Sequence, residues 1–257
     1  MNQKAFVPTM GALHAGHLSL IKLARTYADE VVVSIFVNPL QFENPDDLAK
    51  YPRDLSGDSK MAIEAGATRI WAPTVEEMYP GEIKKISAGE LGNKFEGVKR
   101  PGHFDGVLTV VARLFEEVRP SHAIFGEKDY QQLFLISRFV KENKLPIEII
   151  AGPLIRDHDG LALSSRNVRL STSGRLQALV IQRALHATHH EKHLEHAGRI
   201  LYAVLMEEKG FTLDYATIID EETFEAPTST TTRYRALVAG WVEGVRLLDN
   251  MKMVIES

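Results

Sequence analysis

The chain of 257 residues has no cysteine, no long apolar run and no large excess of one charge sign. The absence of cysteine excludes disulfides and Cys-based zinc or iron–sulfur sites, and it fits a reducing cytoplasm. No segment reaches the ~20 apolar residues of a membrane span, and residues 1–4 lack the apolar core of a signal peptide. The 30 basic and 34 acidic residues give a net charge of −4, unlike a nucleic-acid-binding surface. The sequence therefore predicts a soluble, cytoplasmic protein without nucleic-acid or membrane partners.

The most informative segment that is present is the turn at residues 10–17, MGALHAGH. It follows an apolar run at residues 5–7, typical of a strand, and precedes a helical pattern over residues 18–29. Such a turn binds phosphate through free backbone N–H groups and the positive end of the helix dipole. The two histidines add hydrogen-bond donors whose protonation can change near neutral pH. A zinc pair or an incidental polar pair is the alternative, although zinc needs further ligands.

Apolar runs separated by helical patterns predict an α/β fold, a Rossmann-like doubly wound parallel sheet. Ligands in such sheets bind beyond the carboxyl ends of the strands, where the strand order reverses. After the first run, the predicted strands are 31–37, 69–72, 123–125 and 147–151, and the predicted helices are 18–29, 53–65, 106–118 and 129–142.

The composition changes around Pro153, which predicts a domain boundary between residues 1–153 and 154–257. The second part shows one long helical pattern and then strand-like segments, which predicts a smaller α+β domain that closes over the first. The helical pattern covers 173–209, the strand-like segments are 215–219, 235–242 and 245–248, and 227–232 is a predicted surface loop.

Polar residues follow the second predicted strand, where Pro39 ends the pairing of the chain with its neighbours. Asn38 and Gln41 are therefore expected to be exposed at the carboxyl end of this strand. A ligand-binding role and a plain loop are equally good interpretations of these two residues.

The fourth predicted strand is followed by the sequence GEKD, residues 126–129. Lys128 suits a phosphate as a mobile point charge, and Asp129 is placed to cap the next helix. Gln132 lies about one helical turn after Lys128, so both side chains can face the same crevice. Alternatively, the flanking acidic residues form a surface ion pair with Lys128.

Three further segments carry polar side chains of interest. Ser164, Ser165 and Arg166 follow a turn-rich segment and could bind phosphate oxygens. The loop at residues 100–106 presents an arginine and a histidine before a helix, either in a structural role or toward a ligand. The histidines between His186 and His196 fall at helical spacing, but no carboxylate or cysteine pattern supports a metal cage, so a solvated helix face is the preferred interpretation.

Taken together and in order, the motifs PTMGxLHxGH, SIFVNPxQF, GEKDYQQ and LSSRN resemble the pantothenate synthetase (pantoate–β-alanine ligase) family. The resemblance implies membership of the nucleotidyltransferase superfamily with a HIGH-like motif, here HAGH at residues 14–17. The LSSR segment at residues 163–166 corresponds to the KMSKS-like loop but lacks its lysine, which Lys128 would replace.

The resemblance implies that ATP, with Mg²⁺, condenses (R)-pantoate with β-alanine to pantothenate, AMP and pyrophosphate through a pantoyl adenylate. It assigns catalysis to His14, His17 (the acid) and Lys128, and implies a homodimer. Gln41 and Gln132 would bind pantoate, and Gln41 would also bind β-alanine. Mg²⁺ would enter with ATP, with Asp129 as its one candidate protein ligand and no firm protein metal site. The residues implied in ATP binding are Met10, Gly11, Ala12, Leu13, His14, Ala15, Gly16, His17, Gly126, Glu127, Lys128, Asp129, Ile155, Leu163, Ser164, Ser165 and Arg166.

Two other functions remain open from the sequence. Another nucleotidyltransferase with the same HIGH-like motif would stop after one transfer and would not need β-alanine. A nucleotide-sensing protein of the same fold would bind ATP without turnover.

Overall fold

A computed structural model describes residues 3–42 and 45–256 of the chain. It divides into two compact units, Met1–Pro153 and Leu154–Ser257. Within the described residues, no helix combines the length and the apolar character that a membrane crossing requires.

The first unit contains a parallel sheet of five strands surrounded by helices. The strands are β1 (Lys4–Thr9), β2 (Glu30–Ile35), β3 (Arg69–Trp71), β4 (His122–Gly126) and β5 (Glu148–Gly152). The helices are α1 (Ala15–Ala24), α2 (Pro45–Lys50), α3 (Leu55–Glu64), α4 (Val75–Met78), α5 (Glu96–Lys99), α6 (His103–Val118) and α7 (Tyr130–Glu142).

The strand order β3-β2-β1-β4-β5 confirms the predicted α/β architecture. From β1 the chain proceeds outward to β2 and β3, and it then returns to add β4 on the other side. The order therefore reverses between β1 and β4, which is where a crevice for ligands opens in sheets of this kind. The turns that follow these two strands are the HAGH and GEKD segments.

Helices cover both faces of the sheet. Successive residues of β1 point to opposite faces, and both sets of side chains are buried. Ala5 and Val7 are fully buried in one core cluster with Ile21 of α1. The intervening residue, Phe6, meets Phe115 of α6 edge to face, with ring centroids 6.4 Å apart. Burial on both faces explains why the strands are continuous apolar runs in the sequence.

The second unit has an antiparallel sheet covered by two helices, in agreement with the predicted α+β fold. The helices are α8 (Thr172–His189) and α9 (Leu194–Met206), and the strands are β6 (Thr212–Asp220), β7 (Tyr234–Val242) and β8 (Val245–Met253), in the order β6-β7-β8. Its core cluster includes Ile181, Leu185, Leu201 and Leu205.

The prediction of one continuous helical pattern over residues 173–209 is wrong. The helix is interrupted between α8 and α9, where the last residue of α8 forms hydrogen bonds with the end of β8 and the residue after it. His189 contacts the carbonyl oxygen of Lys252 through Nδ1 (2.6 Å), and its own carbonyl accepts from the N–H of Val254 (3.0 Å). The break lets both helices pack against the sheet.

Candidate active site

The turn after β1 is bent sharply at two residues with left-handed backbone. Gly11 has φ +82° and Ala12 has φ +52°. A Cβ on residue 11 would lie 2.8 Å from Oδ2 of Asp58, so both the backbone angle and the space favour glycine.

Asp58 of α3 holds this turn in place. Its carboxylate accepts hydrogen bonds from the backbone N–H groups of Ala12 (Oδ2, 2.9 Å) and Leu13 (Oδ1, 2.8 Å), and the residue is only 2% exposed. The N–H of Gly11 donates to Thr9 Oγ1 (3.3 Å). The prediction that free N–H groups of the turn face a ligand is therefore wrong for these three residues. Sequence reasoning missed Asp58 because the contact spans 45 residues and leaves no local pattern.

The two histidines of the HAGH segment form the cap of α1. His14 Nδ1 accepts from the N–H of Gly16 (3.1 Å), and His17 Nδ1 accepts from the N–H of His14 (3.2 Å). Because both Nδ1 atoms are acceptors, the proton of each neutral ring is on Nε2. The ring centroids are 4.1 Å apart. The helix starts at Ala15, three residues earlier than predicted, because these imidazoles satisfy the N–H groups of its first turn.

Both histidines are neutral at physiological pH. Burial, and after it the neighbouring His14, lowers the pKa of His17 to about 4. Burial also lowers the pKa of His14, and the charge of Lys128 adds to this effect. The expectation that these rings change protonation near neutral pH is wrong for His17. A neutral ring with its proton on Nε2 can donate an Nε2–H hydrogen bond.

The GEKD segment after β4 lies next to the two histidines. Lys128 and Asp129 act on the pKa values of both rings, Lys128 lowering and Asp129 raising them. Residues Glu127–Asp129 form a turn of 3₁₀ helix before α7. Asp129 occupies the predicted N-cap position, but its side chain makes no capping hydrogen bond. The structure therefore brings together His14, His17, Lys128 and Asp129, as the sequence predicted.

Asn38 and Gln41 form a network beneath the end of β2. Asn38 is fully buried and Gln41 is only 8% exposed, so the prediction that both are exposed is wrong. The Nδ2 of Asn38 donates to Gln41 Oε1 (3.0 Å) and to the carbonyl of Gly106 (3.1 Å). Its Oδ1 accepts from the N–H of Leu40 (3.2 Å) and from the hydroxyl of Tyr79 (2.9 Å). Sequence reasoning missed Tyr79, which lies 41 residues from Asn38.

Arg100 and His103 hold the backbone of Gln41. The carbonyl oxygen of Gln41 accepts from Arg100 Nη2 (3.2 Å) and from His103 Nδ1 (3.1 Å). The Nε2 of His103 is then left as the acceptor for Arg100 Nη1, at 3.0 Å. Of the two interpretations of this loop, the structural one accounts for these contacts.

The two neighbouring glutamines at the start of α7 differ. Gln131 is buried and fastens the segment before α6 through the carbonyls of Leu91 (2.8 Å) and Lys94 (2.9 Å) and the N–H of Glu96 (3.1 Å). Gln132 is half-buried, and no side-chain hydrogen bond holds it among the described residues. Its amide is therefore available to a ligand.

The SSRN segment, residues 164–167, lies in the second unit. Just before it, Leu163 N–H donates to the carbonyl of Ile155 (3.0 Å), and Ser164 Oγ accepts from the N–H of Arg166 (3.2 Å). Ser165 and Arg166 are exposed. The buried Asn167 anchors the segment by donating to the carbonyl of Ala162 (2.9 Å).

In the described part of the chain, no group of three or more His, Asp or Glu side chains is arranged to hold a metal ion. In the histidine-rich segment, His189 is occupied by the carbonyl of Lys252 and His196 pairs with Glu191 at 3.2 Å. The helical spacing seen in the sequence is interrupted by the break between α8 and α9.

Comparison with known protein families identifies the family of this chain. The family model described as pantoate-beta-alanine ligase matches residues 1–252. The chain belongs to this family. The resemblance drawn from the ordered motifs is thereby confirmed, as is the prediction of a ligase.

Curated relatives in the pantoate-beta-alanine ligase family match nearly the full length. The pantothenate synthetase of Acidothermus cellulolyticus is 47% identical over 262 residues, covering 97% of this chain and 85% of the relative. That of Corynebacterium glutamicum is 48% identical, covering 96% and 92%.

Solved structures of the family share the fold. Pantothenate synthetase from Thermus thermophilus superposes with a TM-score of 0.91 at 44% identity, covering 97% of this chain and 93% of that one. Pantoate-beta-alanine ligase from Francisella tularensis, complexed with "Beta-gamma ATP and Beta-alanine", gives a TM-score of 0.79 at 37% identity, covering 98% and 90%.

Proposed function

We propose that this chain condenses (R)-pantoate with β-alanine, converting ATP to AMP and pyrophosphate through a pantoyl adenylate. The observation that carries the proposal is the pair of neutral imidazoles beside Lys128, at the point where the strand order reverses. Family membership and the Francisella complex support the identity of the substrates.

In the first step, a carboxylate oxygen of pantoate attacks the α-phosphorus of ATP, and pyrophosphate leaves. Negative charge spreads over the phosphate oxygens, so fixed hydrogen-bond donors and cations at this point lower the barrier. His14 and His17 would donate through Nε2–H, and Lys128 would supply a positive charge. Neutral rings retain their donors without needing to gain a proton. In the second step, the amine of β-alanine attacks the acyl carbon, and AMP leaves with the bridging oxygen.

ATP would bind along the turn from Met10 to His17 and the GEKD segment, with Ile155 and Leu163–Arg166 contributing from the second unit. Ser165 and Arg166 are exposed and can reorient toward phosphate oxygens. We propose the second unit, residues 154–257, as a lid that excludes water from the hydrolysable adenylate, with residues 152–160 as its hinge.

Gln41 and Gln132 are proposed to bind pantoate, and Gln41 also β-alanine. Neutral amides can bond the hydroxyl and carboxylate groups of pantoate without a strong ion pair, which would weaken the nucleophile. The absence of a protein hydrogen-bond partner for Gln132 among the described residues supports this assignment.

Mg²⁺ would enter with ATP and neutralise phosphate charge. Both oxygens of Asp58 already accept backbone N–H groups, whereas Asp129 lies close enough to act on both histidines and is the better candidate ligand. A homodimer in the cytoplasm is the assembly and location that the family resemblance implies.

Product analysis tests the function directly. Purified protein with ATP, Mg²⁺ and pantoate should release pyrophosphate, and addition of β-alanine should yield the amide and AMP. An ATP-binding protein without products would contradict the proposal in favour of a sensor. Transfer that stops after pyrophosphate release and ignores β-alanine would indicate another nucleotidyltransferase.

A further inference from the structure

The side-chain amide of Gln41 has one defined orientation, because every partner in its network has an unambiguous role. The N–H of Leu40 can only donate, so the atom of Asn38 that faces it is Oδ1. The carbonyl of Gly106 can only accept, so the opposite atom is Nδ2. Nδ2 also donates to Gln41, which therefore turns Oε1 toward Asn38.

The Nε2 atom of Gln41 is consequently directed away from Asn38. This atom has no acceptor among the described residues. It is also not a buried atom, so a ligand can reach it. Gln41 as a whole is only 8% exposed. The residue thus presents an amide donor from an otherwise buried side chain.

Tyr79 completes the network from the end of α4. Its hydroxyl donates to Asn38 Oδ1 at 2.9 Å, and its ring meets Phe36 at a centroid distance of 6.3 Å. Burial raises the pKa of this hydroxyl to about 12, so it remains a donor throughout the physiological range.

The short helix that carries Tyr79 is anchored at both ends. Thr74 and Glu77 form a capping box at its start, with hydrogen bonds of 3.2 and 2.7 Å. Met78 is 1% exposed, and its carbonyl accepts from Arg113 Nε of α6 (3.1 Å). These contacts fix the position of Tyr79 relative to the end of β2.

We propose that Tyr79 is a positioning residue which, through Asn38, fixes the Gln41 amide so that its N–H groups face the substrate. The inference rests on the proposed function, in which Gln41 binds pantoate. It adds that Gln41 recognises an acceptor oxygen, such as a carboxylate or hydroxyl oxygen, and does not serve as the acceptor for the ammonium group of β-alanine.

A double-mutant cycle tests whether Tyr79 acts through Gln41. Tyr79→Phe should raise the KM for pantoate about 3- to 10-fold, the effect of one hydrogen bond, and leave the KM for ATP unchanged. In a Gln41→Ala background, the same substitution should have no further effect on the pantoate KM. Tyr27→Phe, which removes a hydroxyl elsewhere in the first unit, is the matched control and should change neither constant.

Equal effects of Tyr79→Phe in both backgrounds, or an equal rise in the KM for ATP, would contradict the positioning role, as would an unchanged pantoate KM. Gln41→Glu is a second test, because it keeps the acceptor for Asn38 but presents a negative oxygen to the substrate. It should weaken pantoate binding more than Gln41→Ala does, and wild-type affinity would overturn the donor assignment. The wild-type control separates the two proposals: without pantoate-dependent pyrophosphate release, the function itself fails.

Discussion

The turn after β1 and the SSRN segment of the second unit both match phosphate-binding motifs, yet they are built differently. In the first, Asp58, His14 and His17 satisfy the backbone N–H groups and fix two imidazoles in one tautomer. In the second, Ser165 and Arg166 are exposed and lie next to the buried Asn167, which anchors the segment.

The difference indicates that the two segments have different roles in catalysis and binding. A turn whose groups are fixed before the ligand arrives can stabilise a transition state without reorganising. Exposed side chains must be ordered by the ligand, so part of their binding energy is spent on that ordering. We therefore expect the first segment to control the rate of adenylation and the second to control mainly the affinity for ATP.

The largest expected effect is the loss of an imidazole from the rigid turn. His17→Ala should reduce the pantoate-dependent release of pyrophosphate more than ~100-fold, because it removes a fixed donor to the reacting phosphate. His186→Ala, which alters an exposed histidine of α8, should leave the rate unchanged. Near-normal pre-steady-state release by the His17 variant would refute this role.

The cation beside the turn should matter comparably. Lys128→Ala is expected to slow adenylation by more than ~100-fold, since its charge acts at the same point. Lys22→Ala, on the last turn of α1, is a control for the loss of one positive charge. If both variants retain wild-type rates in quenched-flow measurements, Lys128 does not stabilise the reaction.

Asp58→Asn should make the turn less rigid without removing a group that contacts the ligand. The carboxamide has one acceptor oxygen, so one of the N–H groups of Ala12 and Leu13 loses its partner. We expect unfolding to become easier by ~3 kcal/mol and adenylation to slow at least ~10-fold. Denaturant titration and pyrophosphate assays measure both. A slower variant of unchanged stability would indicate direct ligand contact by Asp58.

Arg166→Ala should produce a smaller and different effect. The KM for ATP is expected to rise about 10-fold, with little change in stability, because the side chain is exposed. Arg169→Ala, which alters another exposed arginine nearby, is the matched control. A fall in kcat with unchanged KM would contradict the division between the two segments.

A further difference between the two segments concerns pH. Since the folded pKa of His17, about 4, lies below its unfolded value near 6.5, the unfolded chain binds more protons between these values. The stability contributed by neutral His17 is complete above pH 6.5 and declines as the pH falls toward 4. NMR titration of the histidine ring signals should give a midpoint near 4 for His17, and a midpoint near 6.5 would show that the ring is not sequestered.

The sheet and the position of the site could be predicted from the sequence because they depend on local patterns. Runs such as residues 31–37 are apolar because the sheet is covered on both faces, and the HAGH turn is marked by its glycine and histidines. The contacts of Asp58 and Tyr79 could not be predicted, because each joins residues more than 40 positions apart. The break after His189 was also hidden, since it depends on a contact with β8.

The most direct test of the acyl-adenylate mechanism follows a carboxylate oxygen of pantoate into the products. With pantoate labelled with ¹⁸O in its carboxylate, mass spectrometry of the nucleotide product should find one ¹⁸O in AMP, because the carboxylate oxygen that attacks the α-phosphorus leaves with AMP. Unlabelled AMP, or ADP with the label in inorganic phosphate, would contradict the acyl-adenylate mechanism.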